Sequence, residues 1–185
     1  MNGFLTLLIG LTLVINGKSH TEKPPKIVVE FEYSGTVKSL LSDSLKFSIQ
    51  YNLFSFRDSS IVDFSGNQQE INYDENVALN FPDKIIFKNG KWFKIGKKQE
   101  LIPFLNESFT KTKEEKIILG YRCIKNVCTN VESKETSEVW VCPKLPNNIM
   151  PAAGCNPMDG AILEINSPSE SYKAKKIFFP KIRKA

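Results

Sequence analysis

Apolar residues alternate with polar ones along much of this chain, and that period of two constrains the fold more than any other feature. Val29, Phe31 and Tyr33 are separated by Glu30, Glu32 and Ser34. Leu45, Phe47, Ile49, Tyr51 and Leu53 are separated by Lys46, Ser48, Gln50 and Asn52. Successive side chains of a strand point to opposite faces, so both segments read as half-buried β-strands. The phase slips at Leu53-Phe54 and continues with Phe54 and Phe56. A one-residue slip exchanges the faces, so a β-bulge is predicted there. Shorter strands are expected at 60–64 and 70–73.

The clearest local signal runs from Lys84 to Ile95, where two apolar segments flank Asn89-Gly90. That dipeptide suits a type I′ turn, which needs positive φ at both central residues. Such a turn pairs Phe87 with Trp92 and Ile86 with Phe93, giving a hairpin apolar on both faces. Residues 97–112 are less regular; Pro103 argues against a long helix, leaving a short turn or helix. Late strands are expected at 117–130, 136–143, 161–166 and 172–179. Between them, Pro143 to Gly160 holds four prolines and two glycines and reads as a structured loop. The fold class is mainly β: a curved antiparallel sheet or half-barrel with few short helices, with α+β as the alternative.

Phe4 to Ile15 is a mostly apolar run of 12 residues without charge. It is too short to span a bilayer and has the length of a signal-peptide core. Cleavage is expected after Ser19, or after Gly17, leaving residues 20–185 as one β-rich domain. No internal stretch is apolar enough for a transmembrane span. No charged side chain precedes Lys18, so the net charge of +5 belongs to residues 18–185. The expected location is the periplasm or the outer-membrane surface, which excludes nucleic acid as a partner.

Cys123, Cys128, Cys142 and Cys155 make an even count in the C-terminal third. In an oxidising compartment they are expected to form two disulfides stapling the part of the domain at 116–178. A four-residue loop at 131–134 puts Cys123 directly opposite Cys142 and leaves Cys128 for Cys155. The alternative pairs Cys123 with Cys128 and Cys142 with Cys155. The second pair is too widely spaced for a zinc knuckle, so no metal site is expected. The single histidine, His20, lies at the expected cleavage edge. A Ser-His-Asp triad or an activated cysteine therefore lacks its base. No cofactor motif is present, and no enzyme activity is expected.

The order Lys116-Ile-Ile-Leu-Gly-Tyr-Arg-Cys123, Glu138-Val-Trp-Val141, Leu145-Pro146, Gly154 and Gly160-Ala-Ile-Leu-Glu-Ile165 resembles the GLPGLI family of exported Bacteroidota proteins. It is also similar to related domains placed near the LolA/LolB-like half-barrels, which Met150-Pro151 and Met158-Asp-Gly160 fit better. The likeness covers about residues 116–178, with weaker agreement at Asn52-Leu-Phe-Ser-Phe56. In place of the Gly-Leu-Pro-Gly core stands Gly154-Cys-Asn-Pro-Met-Asp-Gly160. The resemblance implies an exported β-rich domain and no established reaction.

Thirteen Phe residues exceed what one packed layer obviously needs. An apolar concave face built from Phe47, Tyr51, Phe87, Trp92, Phe93, Tyr121 and Trp140 is therefore a candidate surface for a lipid, a lipoprotein or an outer-membrane protein. Lys173, Lys175, Lys176, Lys181, Arg183 and Lys184 are candidates for contact with an anionic surface, or guards of an edge strand. Asp58, Asp63, Asp74, Asp83 and Asp159 show no paired motif. The rival readings are an envelope hydrolase acting through converging carboxylates and a structural subunit of a surface assembly.

Overall fold

The computed structural model describes residues 13–15, 18–20, 25–37, 45–64, 84–95, 99–152, 156 and 158–180. Among them there are strands and no helix. The strands are β1 (Leu13–Ile15), β2 (Lys18–His20), β3 (Ile27–Val37), β4 (Leu45–Ser55), β5 (Ser59–Asp63), β6 (Lys84–Lys88) and β7 (Lys91–Ile95). They continue with β8 (Gln99–Ile102), β9 (Glu107–Ile118), β10 (Tyr121–Asn130), β11 (Thr136–Cys142), β12 (Ala161–Asn166) and β13 (Glu170–Phe178). β1 and β2 pair only with each other, inside and just beyond the segment read as a leader. The expected strand at 70–73, together with Asp74, Asp83, Cys155, Lys181, Arg183 and Lys184, lies outside the described residues.

The other eleven strands form one antiparallel sheet in the order β8-β7-β6-β5-β4-β3-β13-β12-β11-β10-β9. The chain meanders outward from β3 to β8, starts again at the far edge with β9, and meanders back until β13 pairs with β3. The unpaired edges, β8 and β9, are consecutive in sequence and joined only by residues 103–106. That link reaches at most roughly 18 Å, whereas a flat sheet of this width would part its edges by about 48 Å. The sheet must therefore curl until its edges approach, and it does not close. This is the curved antiparallel sheet that the period-two pattern predicts.

One face of the curl carries the core. Val29 and Phe31 of β3, Tyr51 and Leu53 of β4, Val62 of β5, Phe87 of β6, Trp92 of β7, Val139 of β11 and Ile165 of β12 belong to one buried cluster. The Asn89-Gly90 hairpin forms as predicted, with φ of 52° and 71°. Phe87 faces Trp92, and Ile86 faces Phe93. A second turn of this kind joins β9 to β10 at Leu119-Gly120, with φ of 50° and 83°. It splits the segment expected as one strand from 117 to 130. Residues 97–112, expected to be irregular or helical, instead supply β8 and the first half of β9.

The bulge expected at Leu53-Phe54 does not exist. β3 and β4 pair without interruption from Ile27↔Ser55 to Val37↔Leu45. The apolar pattern slips because the inward position after Leu53 is a polar residue, Ser55, which is fully buried. Its hydroxyl donates to Asn148 Oδ1 at 2.9 Å. Phe54 and Phe56 lie half-buried on either side of it.

Asn148 belongs to the β11–β12 loop, which folds inward. Leu145, Ile149 and Met150 join the core cluster. β12 pairs with β13 only at Glu164–Asn166, after which β12 follows β11 and β13 follows β3. Beside the parted end of β12 lies the loop, with Ile162 N donating to Ile149 O at 2.8 Å. Across the core, Tyr51 Oη donates to Pro151 O at 2.6 Å. The loop is a wedge driven into the curl.

The wedge ends at Gly160, with φ of 145°. A Cβ there would lie 2.2 Å from Cys142 O and 2.8 Å from Pro143 Cα. Only glycine allows the two roots of the loop to lie this close. Gly160→Ala is expected to cost more than about 2 kcal/mol and to lower Tm by roughly 5 °C or more; a thermal melt checks this.

Candidate functional site

Three regions carry side chains beyond those needed for a simple core. The first is an aromatic ladder on the inner face. Tyr33 stacks on Tyr172 with centroids 4.4 Å apart, and meets Phe47 edge-on at 5.0 Å. Tyr51 stacks on Phe31 at 5.6 Å and leans on Phe64 at 4.8 Å. A Cβ on Gly35 would lie 2.8 Å from Phe47 Cζ, so the missing side chain lets that ring lie over the backbone. Tyr33 Oη donates to Glu170 Oε2 at 2.8 Å. Burial, then the bond to Glu170, pushes the Tyr33 hydroxyl far above its ordinary range.

The second region is the outer face, which is charged and internally matched. Cross-strand register sets Lys125, Trp140, Glu164, Lys173, Glu32 and Gln50 in one row. Lys116 Nζ lies 2.8 Å from Glu164 Oε1 and 4.1 Å from the centroid of the Trp140 ring. Burial opposes ionisation of Glu164, but the hydrogen bonds from Lys116 and Asn166 outweigh it and hold the carboxyl below the usual range. Glu114 and Glu138 converge on Lys125 Nζ at 3.2 and 2.6 Å, and Glu32 meets Lys175 at 2.5 Å. Asp63 pairs with Lys84 at 3.4 Å. These are partly exposed ion pairs, each of small energetic weight.

The third region is the seam between the sheet edges. Leu101, Phe104, Leu105 and Val131 are all exposed, Leu101 at 60%. Val131 N donates to Asn106 O at 2.8 Å, which brings Val131 to the β8–β9 link. On the inner side of β9, Glu107 and Phe109 oppose Asn130 and Cys128. Glu107 Oε2 is buried without a hydrogen-bond partner, and burial pushes its carboxyl above the usual range.

The residues expected to form one ligand face do not converge. Tyr51, Phe87, Trp92 and Trp140 are buried, and Phe87 packs on Trp92 at 5.1 Å. Phe47 belongs to the tyrosine ladder. Phe93 lies on the opposite face from Trp92, half-buried, and Tyr121 follows the Leu119-Gly120 turn. Trp140 is covered from outside by Lys116. Gly120 serves the turn and relieves no close contact.

Lys173, Lys175 and Lys176 are exposed, but they sit on a central strand. β13 lies between β3 and β12, so these lysines guard no edge. Lys175 pairs with Glu32, Lys176 opposes Glu30 and lies 4.4 Å from the Phe178 ring, and Lys173 opposes Glu32 and Glu164.

The expected disulfides are not formed among the described residues: Cys123, Cys128 and Cys142 are free, buried thiols. Cys128 faces Ser137 on β11 and Phe109 on β9, so no cysteine stands in register with it. Cys123 and Cys128 lie five residues apart on one strand, about 17 Å, too far to bridge. Among the described residues no three His, Cys, Asp or Glu side chains gather as a metal centre would need. No helix among the described residues is long and apolar enough to cross a membrane.

The sequence reading missed the seam and the wedge. The seam carries a visible signal, the unbroken apolar run Leu101-Ile-Pro-Phe-Leu105. Glu107 and Asn148 carry none, since what matters is a burial set by distant strands.

No family model matches the chain, and no curated protein matches it. Among solved structures it is similar to PNGF-II in a P21 crystal form, at 16% identity and a TM-score of 0.54, over 86% of this chain and 29% of that one. A C2 form of PNGF-II gives 19% identity and a TM-score of 0.47, over 85% and 28%. The chain thus spans under a third of the length of the protein it matches. At this identity the likeness concerns the fold alone.

Two substitutions test the geometry. Asn148 also donates to Phe56 O at 3.0 Å and Ser59 O at 2.7 Å, the carbonyls of the β4–β5 turn. Asn148→Ala removes these bonds and the one from Ser55, leaving Ser59 O only the bond from Phe56 N and Phe56 O only the long bond from Ser55 Oγ. It is expected to cost about 1–3 kcal/mol, with a lower urea midpoint and an unchanged m-value. Glu107→Gln is expected to stabilise. A carboxyl raised on folding binds its proton more tightly in the folded state. It therefore costs nothing below the unfolded value of about 4.3. The cost grows as pH rises toward the raised value. Melting at pH 7 should show Glu107→Gln above the parent, and the gap should close near pH 4.

Proposed function

We propose that this chain is a non-enzymatic binding domain of the cell envelope, exported to the periplasm or outer-membrane surface, and that its partner is a protein. The observation behind this reading is the seam. Among the described residues, two strand edges, β8 and β9, have no partner strand and end beside Leu101, Phe104, Leu105 and Val131, all exposed. Unpaired edges offer backbone donors and acceptors to an added strand, and large exposed apolar side chains gain when a partner covers them. Proteins that leave an edge unused usually blunt it with charge or proline. Here Pro103 and the charged residues of β9 flank the apolar side chains without replacing them.

Two further observations favour a protein over a lipid. The inner face next to β4 and β12 is occupied by the chain's own Leu145, Ile149 and Met150. In addition, the matching fold covers 29% of the PNGF-II chain, so that in PNGF-II it is one part of a larger polypeptide. Membership of the GLPGLI-like or LolA-like exported proteins is part of this proposal, as is the leader at residues 1–19. The absence of catalysis is supported by the partners of six of the described acids: Asp63, Glu32, Glu114, Glu115, Glu138 and Glu164 each meet a lysine or arginine. The proposal includes no cofactor.

The test is photo-crosslinking in the native host, with the reactive side chain placed at Leu105 and, as a control, at Lys113 midway along β9. A covalent protein adduct at position 105 is expected. It should vanish in the double variant Leu101→Lys, Phe104→Lys, with the reactive side chain kept at position 105, and the Tm of that variant should match the parent. Co-purifying lipid detected by native mass spectrometry, without any protein adduct, would contradict the reading.

A further inference from the structure

Three features outside the seam were candidates for a second role: the tyrosine ladder, the Lys116–Trp140–Glu164 stack, and the thiols of Cys123 and Cys142. The thiols carry the argument furthest, because the ladder of hydrogen bonds fixes their geometry.

Asn130 N donates to Glu135 O at 2.9 Å, so Asn130 and Glu135 form a hydrogen-bonded pair. From there β10 and β11 pair without a bulge, from Thr129↔Thr136 to Ile124↔Val141. In an antiparallel ladder hydrogen-bonded and non-hydrogen-bonded pairs alternate. Thr129↔Thr136 is therefore non-hydrogen-bonded, and Ile124↔Val141 is hydrogen-bonded. Continued by one step, this register sets Cys123 opposite Cys142, at a non-hydrogen-bonded site. There the Cα atoms approach to about 4.5 Å and the side chains lean together. A disulfide accepts Cα separations of roughly 4.4 to 6.8 Å. Both cysteines are fully buried. Burial, then the neighbouring Cys142 thiol, pushes the Cys123 thiol up to about 12. Cys128, at a hydrogen-bonded site opposite Ser137, has no such neighbour.

We infer that Cys123 and Cys142 are a dithiol that oxidises to a cross-strand disulfide and thereby locks the root of the wedge loop. The loop leaves β11 directly at Cys142, whose carbonyl Gly160 approaches. Fixing Cys142 to β10 fixes the point from which the wedge enters the core. The step is thiol–disulfide exchange with a small disulfide such as oxidised glutathione. One cysteine, as thiolate, attacks a sulfur of the reagent, forming a mixed disulfide and releasing one thiol. The second cysteine displaces the other half and closes the Cys123–Cys142 bond. The two thiol protons and two electrons end on the reagent as its two free thiols. Because native burial shields both sulfurs from the reagent, the exchange runs while the chain folds. The inference is independent of the docking proposal.

The test is refolding of the reduced full chain with oxidised glutathione, followed by alkylation of free thiols and peptide mapping. The expected product has a Cys123–Cys142 link and a Tm roughly 5–10 °C above that of the reduced protein, a gain that dithiothreitol removes. Cys128→Ser should keep both the link and the gain, whereas Cys123→Ser and Cys142→Ser should each lose them. A main product linking Cys123 or Cys142 to any other cysteine overturns the inference, as does folded protein with both alkylated. The mapping on the parent chain decides even if a serine variant fails to fold.

Discussion

The side chain of Asn148 ties the middle of the sheet to the loop that fills it. Its amide group donates to two carbonyls of the β4–β5 turn and its oxygen accepts from buried Ser55. Losing such a bond in an apolar interior costs about 1–3 kcal/mol. The bonds do more than satisfy the turn. They hold the wedge in place, and the wedge lies where β12 parts from β13. Without it, Leu145, Ile149 and Met150 would leave the core, and the curl would lose its filling.

The two faces of the sheet follow from this. The inner face can be largely apolar because the chain covers it from within. The outer face is solvated and spends its charges on one another: Lys116 with Glu164, Lys125 with Glu114 and Glu138, Lys175 with Glu32. A net charge of +5 therefore does not produce a free basic patch on β13. What the sheet does not satisfy is its own edges. The four-residue link between β8 and β9 keeps the edges close but leaves them unpaired, and the apolar side chains gather at that seam.

Local features were legible in the sequence and remote ones were not. Asn89-Gly90 fixes its own hairpin, so Phe87 could be set against Trp92 from spacing alone. Counting from a four-residue loop at 131–134 likewise gives the register of β10 on β11, from Thr129↔Thr136 to Ile124↔Val141. Leu119-Gly120 makes the same kind of turn but passed unread, because leucine is rare at positive φ. Ser55 misled in the other direction. A polar residue facing inward mimics a slipped register unless its partner is known, and that partner, Asn148, lies 93 residues away. β9 was obscure because an exposed edge strand rich in lysine and glutamate shows little apolar alternation. The site suffered most. The aromatic residues chosen for a ligand face were the ones the core needed, while the exposed apolar run beside Pro103 was overlooked.

The claim that carries the rest is that residues 145–151 are an internal part of the fold and not a surface loop. Hydrogen exchange read at single-amide resolution tests it most directly, at Ile162 N, whose acceptor is Ile149 O. The amide of Ile162 is predicted to exchange as slowly as those of β3 and β4, because it opens only when the wedge leaves the core. Exchange as fast as at the exposed turn of residues 131–134 would mean that the wedge does not fill the sheet.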